Sequence, residues 1–215
     1  MLTERLKKLL LGGGLARPAF GKRVPDAPDA AYARHSHGLE QFLSQLRDRD
    51  SLSILDIGGV SQANVSFITS LGHKLYSEGL LRTEQPGGEL ASAAVESFLR
   101  QNLDFPEARF DGVLLWDVLE FLPPPLLKAT VDRLFKIAKP GSYLLAFFHA
   151  EEKATSVPLY SYRISDSKSL VLVPREMRRP SQLFNNRSVE KLFHQFQSVK
   201  FFLTRDHLRE VIVRR

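Results

Sequence analysis

Three short apolar runs limit what this chain can fold into. Residues 52–57 (LSILDI), 111–116 (DGVLLW) and 143–148 (YLLAFF) are almost continuously hydrophobic. Each is too short for a helix spanning a core, and each ends at glycine, aspartate or histidine. A strand apolar on both faces must be covered on both faces, which is the situation in a parallel sheet. The intervening segments carry helical stripes. Leu39, Phe42, Leu43 and Leu46 form one from His37 onward, and Leu127, Val131, Leu134 and Ile137 form another within residues 125–138. Residues 61–71 predict a helix with Val65, Ile68 and Leu71 on one face and Gly72 as its stop. This alternation predicts an α/β fold: a Rossmann-like, doubly wound, mostly parallel seven-stranded sheet with an antiparallel last strand and helices on both faces.

The other segments fill in that frame. Residues 74–77 predict a short strand ending at Glu78, and residues 82–88 a loop. Residues 89–94 suit a helix and residues 97–100 a strand. After His149, Tyr160, Tyr162 and Ile164 alternate with Ser161 and Arg163, so residues 151–186 predict a hairpin-like, substrate-side insertion. A helix over 188–196 and an antiparallel pair over 199–203 and 208–213 complete a domain running from 37 to 215. Residues 1–36 form an arm. Leu2, Leu6, Leu9 and Leu10 stand at helical spacing, and the stretch 12–31 is a Gly/Pro/Ala-rich linker. The helix suits packing on a protein surface, and its ten or so residues allow at most weak membrane-surface contact.

Composition removes several chemistries. With no cysteine, disulfides, thiolate-held metal centres and thiol nucleophiles are excluded. No apolar run is long enough for a membrane-spanning helix, and residues 1–11 do not read as a secretory signal, so a soluble cytoplasmic protein is expected. The net charge of +6 is concentrated in residues 151–215, with 13 basic against 7 acidic side chains. These are scattered except for Arg175, Arg178 and Arg179, so a solvated basic face is expected and nucleic acid is not.

In open α/β sheets ligands sit at the carboxyl ends of the strands. Three such ends carry chemistry here. Asp56-Ile57-Gly58-Gly59 offers backbone that a ligand can approach, followed by a helix start near Ser61 with free N–H groups. Glu78, twenty residues beyond Gly58, suits a ribose diol. Trp116-Asp117 closes the strand that begins near Asp111.

With these stretches the sequence resembles class I S-adenosylmethionine-dependent methyltransferases, especially those acting on small molecules through a D-V-L-E-H-L-like motif. The likeness rests on Ile54–Gly59, on Glu78, on Phe110–Leu122 (FDGVLLWDVLEFL), and on residues 134–146 around Lys139-Pro140-Gly141. It implies S-adenosylmethionine as cofactor and direct methyl displacement onto a small, anionic or aromatic acceptor. Asp56, Gly58 and Gly59 would shape the cofactor loop and Glu78 would hold the ribose. Asn102 and Leu103 would flank adenine, and Trp116 and Asp117 would line the site. Val60 and Gln62 replace the family's second and third loop glycines, and Phe121 replaces its histidine. Those departures motivate an alternative, a non-catalytic binding module; the basic tail motivates another, a methyltransferase acting on RNA or a polyanion. His149, after the fifth strand, is the expected general base, and Asp117 is the other expected catalytic residue. His35 and His37 have no evident carboxylate partner in the sequence, so no metal site is expected.

Overall fold

A computed structural model describes residues 30–81, 91–151, 153–202, 204 and 207–215. The arm helix, residues 12–29 of the expected linker 12–31 and the loop expected over 82–88 lie outside the described residues; the last part of the expected arm 1–36 is described, and Tyr32–His35 form a strand paired with the body of the domain.

Strand β1 (Tyr32–His35) leads into helix α1 (His37–Ser44), whose N-terminus is capped by Ser36. Then follow β2 (Ser53–Asp56), α2 (Gln62–Ser70), β3 (Lys74–Ser77), α3 (Ser92–Asn102) and β4 (Phe110–Trp116). A 3₁₀ turn (Val118–Phe121) connects to α4 (Pro124–Ile137), which begins on prolines, as a first turn tolerates. The chain continues through β5 (Ala138–His149), β6 (Val157–Asp166), β7 (Ser169–Arg178), α5 (Asn186–Leu192), β8 (Ser198–Phe202) and β9 (Leu208–Arg214).

The main sheet has the order β3-β2-β4-β5-β9-β8. Strands β3, β2, β4 and β5 are parallel, and β9 runs antiparallel to both β5 and β8. Side chains alternate across it. Leu55, Val113, Leu144 and Val211 join one core with Phe98 of α3, Val131 of α4 and Val189 of α5. Ile54, Leu114, Leu145 and Ile212 join the other with Leu39 and Phe42 of α1 and Ile68 of α2. A second sheet of order β1-β7-β6 packs onto that second core through Tyr160, Tyr162, Leu170 and Leu172. The hairpin expected after His149 is therefore β6–β7, extended by a strand from the N-terminal side.

Three expectations are corrected. Among the described residues the main sheet has six strands, not seven. Residues 97–100 lie inside α3, because Val95, Phe98 and Leu99 meet the core at helical spacing. The helix at 62–70 is rotated from the expected face. Asn64 and Ile68 are buried, while Leu71 is 44% exposed. Leu71 caps the end of α2 instead of lying within it, and buried Asn64 stands where the expected stripe begins with Val65.

Candidate active site

The β2 end is organised by Asp56, which is fully buried. Its Oδ1 accepts from the Gly58 N–H at 3.0 Å and the Trp116 indole Nε1 at 2.7 Å; its Oδ2 accepts from Asn64 Nδ2 at 2.9 Å. Burial pushes the Asp56 carboxyl upward, against the pull of these donors. The loop beyond has Gly59 at φ 93°, a conformation that favours glycine. Gly59 donates to the Glu78 carbonyl at 2.8 Å, and Glu78 donates to the Asp56 carbonyl at 2.8 Å. The ends of β2 and β3 are thus tied together, and Gly58 bridges to Gly79. Glu78 is half-buried, and burial raises its carboxyl.

Trp116 ends β4 with φ 52°, strained for a bulky residue. Its indole stacks on Tyr162 of β6 (centroids 4.9 Å apart, planes 9°) and on Phe147 of β5 (5.9 Å, 30°). A Cβ on Gly58 would fall 2.5 Å from Trp116 Cδ1. This glycine therefore makes room for the indole. Asn64 completes the assembly. Its Nδ2 donates to the Tyr162 carbonyl at 3.1 Å as well as to Asp56, and its Oδ1 accepts from the Ile164 N–H at 2.8 Å. The hairpin is a wall fastened to α2.

Between these parts lies a cavity of about 200 Å³. One side is the loop Ile57–Ser61 with Gly79 and Leu81; the floor is Trp116, Asp117 and Val118; the other side is Leu159–Tyr162 with Arg175. Val60, one of the two departures from the family's loop, borders this cavity and is 64% exposed. Gln62, the other, turns away and donates to Ser66 Oγ at 3.2 Å. Of the three clustered arginines Arg175 faces the cavity, whereas Arg178 lies over the Phe121 ring.

Asp117 is buried against the cavity floor and accepts the Tyr160 N–H at 3.3 Å. Burial pushes its carboxyl up to about 7, while the charge of His149 and the Tyr160 amide pull the other way. Behind it sits His149, whose Nδ1 lies 2.6 Å from Glu120 Oε2 and whose backbone N–H donates to Glu120 Oε1 at 2.9 Å. Burial pushes the His149 ring down, but the Glu120 carboxylate outweighs it and the ring is raised overall. Glu120 is itself raised by burial, which its bonds to His149 oppose.

Gly58, Gly59, Trp116 and Asp117 border one cavity, and Asp56 bonds Gly58 and Trp116 without lining it. Glu78 and His149 do not border it: Glu78 precedes the lining residue Gly79, and His149 is paired with Glu120. Asn102 and Leu103 do not border the cavity. Leu103 is fully buried in the core, and the Asn102 side chain donates to the Phe98 carbonyl of its own helix at 2.8 Å. Leu81 and Val118 are among the apolar side chains that border the cavity. Sequence reasoning gave no role to Glu120 or Asn64. The signal for Glu120 was a carboxylate in the otherwise apolar run VLEFL, which demands a buried partner. Asn64 left no signal beyond a polar residue in a helix.

The family model described as Methyltransferase domain matches residues 30–197. The chain belongs to the methyltransferase domain family. No curated protein matches it in sequence. Among solved structures, this methyltransferase domain is similar to the Burkholderia thailandensis 1,6-didemethyltoxoflavin-N1-methyltransferase, solved with 1,6-didemethyltoxoflavin and S-adenosylhomocysteine. The two are 13% identical with a TM-score of 0.48, over 83% of this chain and 76% of that one. SAM-dependent methyltransferases from Methanosarcina mazei (14% identity, TM-score 0.48, 80% and 96% coverage) and Archaeoglobus fulgidus (12%, 0.48, 82% and 91%) are similar to a like degree. Among the described residues of the methyltransferase domain, no helix is long and apolar enough to cross a membrane.

Proposed function

We propose that this methyltransferase domain uses S-adenosylmethionine to methylate a small acceptor held between the glycine loop and the β6–β7 hairpin. The observation that carries this reading is Asp117, a carboxyl poised at about 7 on the floor of a cavity whose opposite edge is bare glycine backbone. The residues present suit the cofactor. Gly59 and Gly79 border the cavity without side chains, and the first-turn amides of α2, beginning beyond Ser61, suit its carboxylate. Glu78 suits the ribose hydroxyls, and Leu81 with Val118 the apolar ring. When bound, the group supplies an electrophilic methyl on a sulfonium.

The chain's own residues supply placement and proton handling. Leu159, Tyr160 and Tyr162 form the wall against which an acceptor packs, and Arg175 provides a cation for an anionic or aromatic-acid acceptor. Holding the reactants in line with water excluded supplies most of the acceleration such a displacement needs. Asp117 Oδ takes the proton that an O–H or N–H acceptor loses as its bond to carbon forms. His149, whose ring the Glu120 carboxylate raises, favours by its charge the ionised form of Asp117 that is ready to accept.

Thermal unfolding with S-adenosylhomocysteine tests the reading. At about a hundred times the dissociation constant the ligand adds about 2.7 kcal/mol, a midpoint rise of roughly 5–10 °C for a chain of this size. Glu78→Ala reduces that rise, and NAD produces none. A second reading, a binding module without catalysis, is favoured by the Trp116 indole, which crowds the loop at Gly58. It would be preferred if S-adenosylhomocysteine produced no shift.

A further inference from the structure

We propose a divalent transition-metal site formed by His35, His37 and Glu40, at the junction of β1 and α1 and separate from the cavity. His35 is the last residue of β1, His37 the first of α1, and Glu40 stands one helical turn beyond His37. One ligand atom from each lies within 4.8 Å of the others. The imidazoles meet edge-on with centroids 4.4 Å apart, and His35 Nε2 is 3.5 Å from Glu40 Oε2. Two imidazoles and a carboxylate are a donor set that binds Zn²⁺ and its first-row neighbours, with water completing the shell. The sequence alone hides this site, because Glu40 joins the histidines only once α1 starts at His37.

The backbone carrying these ligands is held independently of any metal. Glu210, fully buried in β9, accepts from Ser36 Oγ at 3.0 Å and from the Gly38 N–H at 2.5 Å, and pairs with the Arg34 guanidinium. The Ser36 N–H donates to the Lys168 carbonyl at 2.8 Å. Gly38 is pressed close: a Cβ there would fall 2.7 Å from Leu145 Cδ1. The His37 ring stacks on Phe202 at 6.1 Å. Every second residue from 34 to 38 is thus anchored, and His35 and His37 project from a fixed backbone. Tetrahedral ligands at about 2.0–2.1 Å stand roughly 3.3 Å apart. Closing from the observed spacing takes side-chain rotation of an ångström or so in residues that are partly or fully exposed. Preorganisation of this kind raises affinity by lowering the cost of ordering.

The test uses tag-free protein stripped of metal, titrated with Zn²⁺ alone by calorimetry and with Co²⁺ by visible absorption. The expected result is one Zn²⁺ per chain with a micromolar dissociation constant and a Co²⁺ d–d spectrum. His37→Ala and Glu40→Gln each weaken binding at least tenfold, while His207→Ala leaves it unchanged. Circular dichroism confirms that the variants are folded; Glu40→Gln changes an exposed side chain and serves if His37→Ala does not fold. Absence of stoichiometric binding below 100 μM, or equal binding by folded Glu40→Gln and wild type, overturns the proposal.

Discussion

Replacing Asn64 by alanine tests whether the β6–β7 hairpin is fastened to the sheet by one amide. The side chain makes three hydrogen bonds: to Asp56 Oδ2 (2.9 Å), to the Tyr162 carbonyl (3.1 Å) and from the Ile164 N–H (2.8 Å). All three are buried, and Asn64 is 1% exposed. A net intramolecular bond contributes about 1 kcal/mol, but a buried donor left without a partner costs about 1–3 kcal/mol. Asn64→Ala strands the Ile164 N–H and the Tyr162 carbonyl and removes one donor from Asp56. The expected loss is about 3 kcal/mol, which lowers the midpoint of a chain this size by roughly 6–12 °C. Asn64→Asp provides the sharper control. It keeps the acceptor for Ile164 but sets a second carboxyl against Asp56, whose own carboxyl burial already raises. Two such acids favour protonation, so this variant recovers stability as pH falls from 8 to 5. Melting curves at both pH values read the two effects. A loss under 0.5 kcal/mol for Asn64→Ala, with no pH dependence for Asn64→Asp, would refute the clasp.

Gly58→Ala places a methyl 2.5 Å from the Trp116 ring; displacement of the indole is expected to cost about 1–3 kcal/mol and to shift the emission of this single tryptophan, read by fluorescence. Asp117 has a folded pKa of about 7, above its ordinary 3.8. Its protonated form therefore adds stability below pH 4, which is lost as pH rises to 7. Asp117→Asn escapes that loss, so its stability relative to wild type improves by up to about 1.4 kcal/mol per pH unit across this window, while methyl transfer falls roughly a hundredfold or more. Equal pH slopes for the two proteins would remove Asp117 as a titrating group. Glu120→Gln removes the carboxylate that raises His149, so the imidazole titration followed by NMR is expected to move to lower pH; an unmoved titration would show that the pair does not set the ring's charge.

The parts of the fold governed by hydrophobic burial were legible in the sequence. The runs 52–57, 111–116 and 143–148 form the central strands because their apolar side chains find cover on both faces, while Asp56 and Asp111, near strand ends, are buried with donors of their own. Tyr160, Tyr162 and Ile164 turned inward as their alternation requires. The face of α2 was misread because Asn64 is buried for its hydrogen bonds, a gain that no hydropathy pattern records. Residues 97–100 were misread because a short apolar stretch fits either period until its flanks are known. Gly58, Gly59 and Asp117 were identified from motif position, and the fold sets them at one cavity. Asn102 and Leu103 follow from the family resemblance, and in the structure they stand at the C-terminal end of α3, away from the cavity lining. The link between His149 and Glu120 spans 29 residues and becomes visible only when β5 is laid beside β4.

The carboxylate of Glu210 also bears on the order in which the chain is built. Its partners Gly38, Ser36 and Arg34 lie 172, 174 and 176 residues earlier. During synthesis from the N-terminus, β1 and the start of α1 emerge long before the strand that receives them. Until β9 pairs with β5, the Ser36 O–H and the Gly38 N–H lack their carboxylate acceptor. Contacts of such sequence separation form late and slow the final step of folding. Early parts of the main sheet can therefore condense, and β1 pair with β7, before β9 arrives with the carboxylate that fixes the Arg34–Gly38 segment.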